Sequence, residues 1–301
     1  MTGGFGVDTY YFSKEFGSVH YIEQNEVLAR QVMHNFQQLG GDNIIFHTQS
    51  AENFLHNYEH QLGVIYLDPA RRDQQKNKVF RLEDCSPNVL GLLEAFWQKT
   101  YLIFLKLAPM LDIEQVIRQL GGVKEVLVVA VNNECKELLF LLDQTKTDNL
   151  EIKTVNLSQN KSAQKFDFTR AEEARAKVQF SEPKDYLYEP NVAVLKAGAF
   201  KAVAERFGVK KLHQHSHLYT SEKLIDDFPG RRFKVKAVCK YAKKEVLPKL
   251  NEPRANISIR NFPDSVATIR KKLKIKEGGI EYLFFTQTIE HKTRVIITEK
   301  V

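Results

Sequence analysis

The first residues of the chain combine glycines and an acid in an order that suits nucleotide binding. Gly3, Gly4 and Gly6 form a glycine-rich turn, and glycines allow a backbone to approach a nucleotide closely. Glu23 ends the next apolar run, where a carboxylate accepts hydrogen bonds from ribose hydroxyls. The third glycine of the dinucleotide fingerprint is replaced by Thr9, so the pattern does not indicate a dinucleotide site.

Two further polar segments follow the next two predicted strands. Ser50 and Ala51 come after one of them, and the segment DPARR at 68–72 comes after the other. Ligands of open α/β sheets bind at the carboxyl ends of the strands, so we expect these segments and the glycine turn to meet at one edge. Arg72, in the last of these segments, is a candidate phosphate contact.

The elements that would position these residues alternate between short β-branched or aromatic runs and amphipathic stretches. This alternation predicts βαβ units and a mostly parallel sheet. Strands are predicted at 18–23, 43–47, 63–68, 101–106, 124–131 and 137–143. The clearest helix covers 25–39 and stops at two glycines. The last two strands are expected to form an antiparallel pair.

The second part of the chain has a different pattern. Residues 150–160 are polar and loosely patterned, a linker is predicted at 180–190 and a helix at 192–207. A βαβαββ series then fills 233–299, which predicts a small ferredoxin-like α+β unit. We therefore expect an α/β domain over 1–178 and a smaller domain, with a leading helix, over 179–301.

Charge separates the same two parts. The formal net charge is +7, but residues 178–301 carry 25 Lys and Arg against 14 Asp and Glu, whereas the preceding residues are slightly acidic. Clustered cations release counterions from phosphates, so this excess favours a polyanionic partner such as RNA. The candidate RNA contacts are Arg72, Lys106, Arg231, Arg232, Lys234 and Lys236. A solvated face that only aids solubility is the alternative.

Other features exclude several classes of protein. The three cysteines are far apart and lack a CxxC spacing, so neither a disulfide framework nor a cysteine zinc site is indicated, and a cytoplasmic protein is expected. No apolar run approaches the length of a membrane helix. His213, His215 and His217 alternate without a carboxylate or cysteine at a suitable spacing, so no metal site is predicted.

The segments 2–8 and 68–71, together with Glu23, resemble the motifs of class I S-adenosylmethionine-dependent methyltransferases over about the first 145 residues. The whole chain resembles bacterial methyltransferase-like proteins with a THUMP-like, ferredoxin-like C-terminal domain, a feature associated with RNA modification. The resemblance implies a Rossmann-like sheet and S-adenosylmethionine as cofactor. The implied cofactor-binding residues are Gly3, Gly4, Gly6, Asp8, Glu23, Ser50 and Ala51. The implied catalytic residues are Asp68, Pro69 and Arg71.

Carried over by position, Gly4 and Gly6 face the methionine part of the cofactor, Glu23 binds the ribose and Ser50 lies near adenine. Asp68 and Pro69 face the reacting methyl group and its target. Enzymes that methylate exocyclic amines often have a second proline and an aromatic ring after this position, where this chain has Ala70 and Arg71. No cysteine nucleophile motif is present, which leaves direct in-line transfer.

The resemblance also has a gap at its beginning. The family has a full strand before the glycine turn, and this chain starts at the turn. We therefore expect a truncated chain, with an unfilled position between the strands that end at Glu23 and Asp68, and weak cofactor binding by this fragment.

The function predicted from the sequence is methyl transfer to RNA, in which the basic domain holds the RNA and no obligate protein partner is inferred. Two alternatives stay open. One is an RNA-binding protein without catalysis, and the other is a methyltransferase for a protein or a small molecule, with the basic domain as a docking module.

Overall fold

The structure is a computed structural model that describes residues 1–71, 82–145, 149–159, 161–289 and 292–301. Arg72, a predicted RNA contact, lies outside these ranges. The contacts of the chain divide it into two compact units. The first unit contains residues 1–127 and 136–150, and the second contains residues 128–135 and 151–301.

Helices alternate with strands through the first unit. Its helices are α1 (Val7–Glu15), α2 (Glu26–Leu39), α3 (Ala51–Asn57), α4 (Val89–Lys99) and α5 (Ile113–Leu120). Its strands are β1 (Val19–Glu23), β2 (Ile44–Thr48), β3 (Ile65–Leu67), β4 (Ala70–Arg71), β5 (Cys85–Ser86) and β6 (Leu102–Leu107). The hairpin strands β7 (Val123–Val131) and β8 (Glu134–Asp143) contribute residues to both units.

The strands of the first unit form separate sheets. β1 pairs with β2 in parallel, and β3 pairs with β6 in parallel, within the strand order β7-β8-β6-β3. β8 is antiparallel to β6, and the short strands β4 and β5 pair with each other. β1 and β3 therefore belong to different sheets, as expected from the sequence. An apolar groove of about 530 Å³ lies beside both strands, lined by side chains such as Ile22, Ile65 and Phe104.

Local sequence explains the clearest helix of this unit. The Asn25 side chain accepts a hydrogen bond from Leu28 N–H at 3.1 Å, which satisfies an amide that the helix leaves without a backbone partner. The face that carries Val32 and Phe36 is buried against Tyr21 of β1. The helix ends where Gly40 takes a φ of 76°, a left-handed value that glycine adopts at low cost.

Paired strands dominate the second unit. Its strands are β9 (Glu151–Ser158), β10 (Lys161–Thr169), β11 (Tyr186–Pro190), β12 (Lys210–Lys211), β13 (Tyr219–Ser221), β14 (Gly230–Cys239), β15 (Asn256–Arg260), β16 (Glu281–Gln287) and β17 (Thr293–Lys300). Its helices are α6 (Arg170–Arg175), α7 (Val192–Ala197), α8 (Ala202–Phe207), α9 (Lys243–Val246) and α10 (Val266–Leu273). A seven-stranded sheet has the order β12-β13-β11-β14-β17-β16-β15.

Two apolar clusters pack on this sheet. Val246 of α9 and Ile269 and Leu273 of α10 are buried with strand residues such as Leu283 and Val295. Phe284 and Ile296 alternate with these strand residues and belong to the second cluster. α9 and α10 therefore lie on one face of the sheet, and each leaves its outer side to solvent.

Most predicted elements of the first unit are confirmed within a residue or two, including the antiparallel β7–β8 pair. The βαβαββ series is confirmed as β14-α9-β15-α10-β16-β17, although α9 is shorter than predicted and continues only as a 3-10 turn.

Three predictions for the middle of the chain are wrong. Residues 150–160 are not loose, because β9 forms there, pairs with β10 and buries Ile152 and Thr154 on one side. The linker predicted at 180–190 contains β11, and the helix predicted at 192–207 is broken at Gly198 into α7 and α8. Thr154 occupies an inward-facing position of β9, and this polar residue type made the half-buried strand look like a polar loop in the sequence.

Candidate functional site

The predicted cofactor residues are partly brought together in one pocket of the first unit. The pocket has a volume of about 280 Å³. Its described lining includes Gly4, Glu23, Ser50, Ala51 and Asp68. These residues come from the ends of β1, β2 and β3 and from the turn before α1. The pocket therefore lies where open α/β sheets bind their ligands.

Glu23 is held in place by backbone amides on both sides. Its Oε2 accepts a hydrogen bond from Gly4 N–H at 2.9 Å, and its Oε1 accepts one from Asn25 N–H at 2.8 Å. A carboxylate has about four lone-pair sites, so each oxygen retains capacity for a second donor. Glu23 is thus a fixed acceptor that two hydroxyl groups of a ligand can engage.

The three glycines of the turn have different tasks. A Cβ atom on Gly3 would meet the Tyr21 ring at 2.4 Å, and one on Gly6 would meet Val32 Cγ1 at 2.7 Å. These two glycines allow close packing on the protein's own core. At Gly4, where φ is 52°, a Cβ atom would meet nothing nearer than 4.0 Å. Gly4 is therefore the glycine whose open side faces the pocket.

Ser50 begins α3 and has a hydroxyl proton to offer. Its Oγ accepts a hydrogen bond from Asn53 N–H at 3.2 Å, which uses an acceptor site and leaves the O–H as a donor. The buried Ala51 follows it in the lining. This side of the pocket can thus donate one hydrogen bond to a ligand while presenting a small apolar side chain.

Lys106 joins two of the predicted site residues. Its Nζ lies 2.9 Å from Asp8 Oδ2 and 2.8 Å from Asp68 Oδ2, and Tyr66 O–H donates to Asp8 Oδ2 at 2.7 Å. In the parallel register of β3 and β6, Leu67 is opposite Leu105, so the next residues, Asp68 and Lys106, are neighbours. We refer to Lys106, Asp8 and Asp68 as the lysine–carboxylate triad.

The triad shifts the protonation of its members. Burial acts to raise the pKa of Asp8, but the hydrogen bonds from Lys106 and Tyr66 outweigh it and hold the pKa below its ordinary value of 3.8. Burial acts to lower the pKa of Lys106, but the hydrogen bonds to Asp68 and Asp8 raise it above its ordinary value. At neutral pH the triad therefore contains one ammonium group and a carboxylate of Asp8.

Not every predicted residue lies in the pocket. Asp8 contacts Lys106 and is outside the described lining, as are Gly3 and Gly6. Pro69 is also outside the described lining, and the backbone of Arg71 pairs with Cys85 in the small β4–β5 sheet. Asp68 lines the pocket with its side chain 44% exposed, so its carboxylate can still be reached by a ligand.

The predicted RNA contacts of β14 are mostly engaged with acids. Arg231 pairs with Glu189, which is only 2% exposed. Arg232 pairs with Asp226 at 2.9 Å, and Lys236 pairs with Glu281 at 2.8 Å. A separate bond joins Lys236 to Glu299 at 2.9 Å.

Lys234 differs from the other three. Its side chain is exposed and makes no ion pair with a described residue. Arg231, Arg232 and Lys236 are therefore held in ion pairs within the second unit. The clustering of cations along the sequence thus overstated the positive charge that β14 leaves unpaired.

The predicted histidines of the second unit are held by other contacts. His213 Nδ1 lies within hydrogen-bond distance of His215 N–H and of Asn261 Nδ2, both at 3.1 Å. His217 stacks on Phe200 with ring centroids 3.8 Å apart. Within the described ranges, no group of three or more His, Cys, Asp or Glu side chains is arranged to hold a metal ion.

Tyr21 and Tyr66 are site residues that the sequence analysis missed. Tyr21 O–H donates to Gly4 O at 2.7 Å, and Tyr66 bonds to Asp8. Each tyrosine stands two residues before an acid of the pocket, Glu23 or Asp68, and therefore shares a strand face with it. That repeated spacing was the available signal.

The fold and the pocket define the class of this protein. It is a Rossmann-like α/β unit with a methyltransferase-type arrangement, followed by a ferredoxin-like and THUMP-like region. The family model of a ferredoxin-like domain matches residues 186–229, and that of a THUMP-like domain matches residues 230–300. No described helix has the length and apolar character needed to span a membrane.

Comparison with solved structures identifies the family. This chain is 33% identical to a protein described as "putative methyltransferase from Porphyromonas gingivalis W83", and the two superpose with a TM-score of 0.88. The match covers 100% of this chain and 76% of that protein's chain. This chain therefore belongs to the same family. A "putative rRNA-methylase" from Clostridium thermocellum is 15% identical over 47% of this chain and 84% of its own, with a TM-score of 0.36. No curated protein sequence matches.

Lys106→Met is expected to destabilise the first unit in a pH-dependent way. Because the pKa of Asp8 is lowered in the fold, its contribution is present above its ordinary pKa of 3.8 and is lost as the pH falls through the lower folded value. Since Asp8 and Asp68 are partly exposed, we expect a loss of about 1–2 kcal/mol at pH 7. Urea unfolding at pH 7 and pH 3 measures it.

The destabilisation should shrink at pH 3, where Asp8 begins to take up a proton in the variant. Lys99→Met is the matched control, because Lys99 ends α4 of the same unit and makes no ion pair with a described residue; its effect should be small at both pH values. An equal loss at both pH values would contradict the electrostatic role of the triad.

Lys236→Met is expected to lower the free energy of unfolding of the second unit by roughly 2–4 kcal/mol, because buried Glu281 would lose its ammonium partner and keep the hydrogen bond from Asn251 N–H. Lys234→Met, two residues away on the same strand and exposed, should change it by less than about 0.5 kcal/mol. Denaturant titration of both variants measures the difference. Equal stability of the two variants would show that the Lys236 pairs contribute nothing.

Proposed function

We propose that this protein transfers a methyl group from S-adenosylmethionine to RNA by direct in-line transfer. The observation that carries the proposal is the pocket of about 280 Å³ in which Gly4, Glu23, Ser50 and Asp68 meet. It occurs in a chain whose family includes a methyltransferase-like protein and whose C-terminal region is THUMP-like. We place this activity in the cytoplasm.

The chemistry of the pocket fits such a cofactor. Its described lining contains the acids Glu23, Glu52 and Asp68, and none of its members is a lysine or arginine. An acidic pocket favours a ligand with net positive charge, as a sulfonium with an amino group has. When bound, S-adenosylmethionine supplies a methyl group that its sulfonium already activates.

Each residue would then have a limited task. Glu23 would bind the two ribose hydroxyls with its remaining lone pairs, and Ser50 would donate to the adenine ring. Gly4 would let the backbone approach the methionine part. Asp68, fixed by Lys106 at 2.8 Å, would orient the target and accept a proton where the target atom carries one.

Glu23→Gln is expected to weaken binding of S-adenosylhomocysteine by about 10- to 100-fold, because hydrogen bonds to a charged acceptor contribute roughly 1.5–3 kcal/mol. Calorimetric titration into the full chain measures this. Glu26→Gln is the control, since Glu26 lies three residues away and, among the described residues, pairs with Arg30 on the surface of α2. Its affinity should be unchanged. If both variants bind as the native chain does, Glu23 is not a ribose acceptor.

Asp68→Asn is expected to lower methyl transfer at least 10-fold while leaving S-adenosylhomocysteine affinity within a few-fold, because a neutral amide accepts no proton. The assay follows labelled methyl groups from S-adenosylmethionine into total rRNA and tRNA from cells lacking this gene. Asp42→Asn, an exposed position in the turn before β2, is the control.

The alternatives give different results in these two experiments. If the chain binds the cofactor and the labelled methyl groups enter protein or small molecules but not RNA, the result would support a methyltransferase for a protein or a small molecule. RNA binding without cofactor binding would support a non-catalytic RNA-binding protein.

A further inference from the structure

We propose that the surface which holds RNA is the outer side of α9 and α10, and that it binds the phosphate backbone of double-helical RNA. This inference rests on the proposed RNA partner and names the surface that meets it. We call the surface formed by segments 240–250 and 264–277 the lysine face. It is a different place from β14, which carries the predicted RNA contacts Arg231, Arg232, Lys234 and Lys236.

Charge is concentrated on the lysine face. The two segments carry nine cations and three acids. Both helices pack on the same side of the sheet through Val246, Ile269 and Leu273, which directs the polar side of each helix to solvent. All eight lysines of the two segments are exposed, and Arg270 is half-buried. The two runs, separate in sequence, therefore form one basic surface.

The charge of the lysine face is largely free, unlike that of β14. One of its lysines, Lys272, pairs with Asp264 at 2.7 Å, and the other seven make no ion pair with a described residue. Asp264 Oδ2 also accepts a hydrogen bond from Tyr241 O–H at 3.0 Å. Glu245 accepts one from the backbone N–H of Lys240 at 2.9 Å, so its hydrogen bond is not to a lysine ammonium group. On β14, by contrast, three of the four predicted RNA contacts are paired with acids.

The chemistry of the face favours phosphate over base recognition. Lysine is a compact point charge on a flexible stem, which suits phosphate oxygens at variable positions. The two segments expose no large apolar or aromatic side chain on which a base might stack. Tyr241 instead packs edge-to-face against Phe262 and Phe285, with ring centroids 5.3 and 5.5 Å apart. A duplex, whose phosphates are outside and whose bases are stacked inside, fits this surface better than a single strand.

The test compares two fourfold variants of the full chain. The face variant is K243Q/K244Q/K271Q/K274Q. The control variant is K165Q/K177Q/K210Q/K234Q, which removes the same number of exposed lysines from elsewhere in the second unit and includes the free lysine of β14. The probes are an RNA hairpin with a long stem, an unstructured poly(A) of equal length and a polyglutamate peptide. Affinity is measured between 50 and 300 mM KCl.

We expect the face variant to bind the hairpin roughly 30- to 100-fold more weakly than the native chain at moderate salt, and the control variant within about threefold. The dependence of log affinity on log salt should become shallower by about 3 in the face variant, since each phosphate contact contributes roughly 0.7–0.9. Thermal unfolding of the variants checks that each remains folded, as exposed lysines should allow.

Three results would overturn the proposal. They are equal losses in the face and control variants, a loss confined to the control variant, and binding of polyglutamate or poly(A) at least as tightly as the hairpin. The calorimetric titration with S-adenosylhomocysteine reports on the pocket separately. A face variant that binds this ligand normally but loses the hairpin supports the lysine face, and a native chain that binds the hairpin but no cofactor contradicts only the methyltransferase proposal.

Discussion

The ammonium group of Lys106, placed between the carboxylates of Asp8 and Asp68, is the interaction on which the geometry of the first unit's site depends. It joins α1, the end of β3 and the end of β6, which are separated by as many as 98 residues in the chain. Asp8 and Asp68 place carboxylate oxygens 2.9 and 2.8 Å from Lys106 Nζ, and the two carboxylates would repel each other without this cation between them. With the cation in place, Asp68, which lines the pocket, is fixed both by its position after β3 and by its ion pair with Lys106 of β6.

Glu23 fixes the opposite side of the pocket by different means. It accepts hydrogen bonds from Gly4 and Asn25 amides, so the glycine turn, β1 and the start of α2 are joined at one carboxylate. Both anchors use polar groups at the carboxyl ends of parallel strands, where the sheet stops pairing its own backbone. Packing of Gly3 on Tyr21 and of Gly6 on Val32 then sets how closely the turn approaches the sheet.

Sequence periodicity predicted the first unit well because its strands are apolar runs between strong helix signals. The site was harder to predict, since spacing along the chain locates strand ends but not the pairing between them. Lys106 was expected to face a substrate, and only the β3–β6 register shows that it stands beside Asp68. In the second unit, Arg231 and Lys236 looked free because their partners, Glu189 and Glu281, lie on other strands, 42 and 45 residues away.

The second unit shows how a surplus of charge is divided by a fold. Arg231 and Lys236, which emerge from the sheet, are matched by acids on other strands, because a half-buried charge without a partner is costly. Cations on the outer side of α9 and α10 meet no such requirement, since water solvates them. Much of the free positive charge of the second unit is therefore concentrated on one helical layer, and under the proposed function it is this charge, rather than the net charge of the chain, that an RNA would meet.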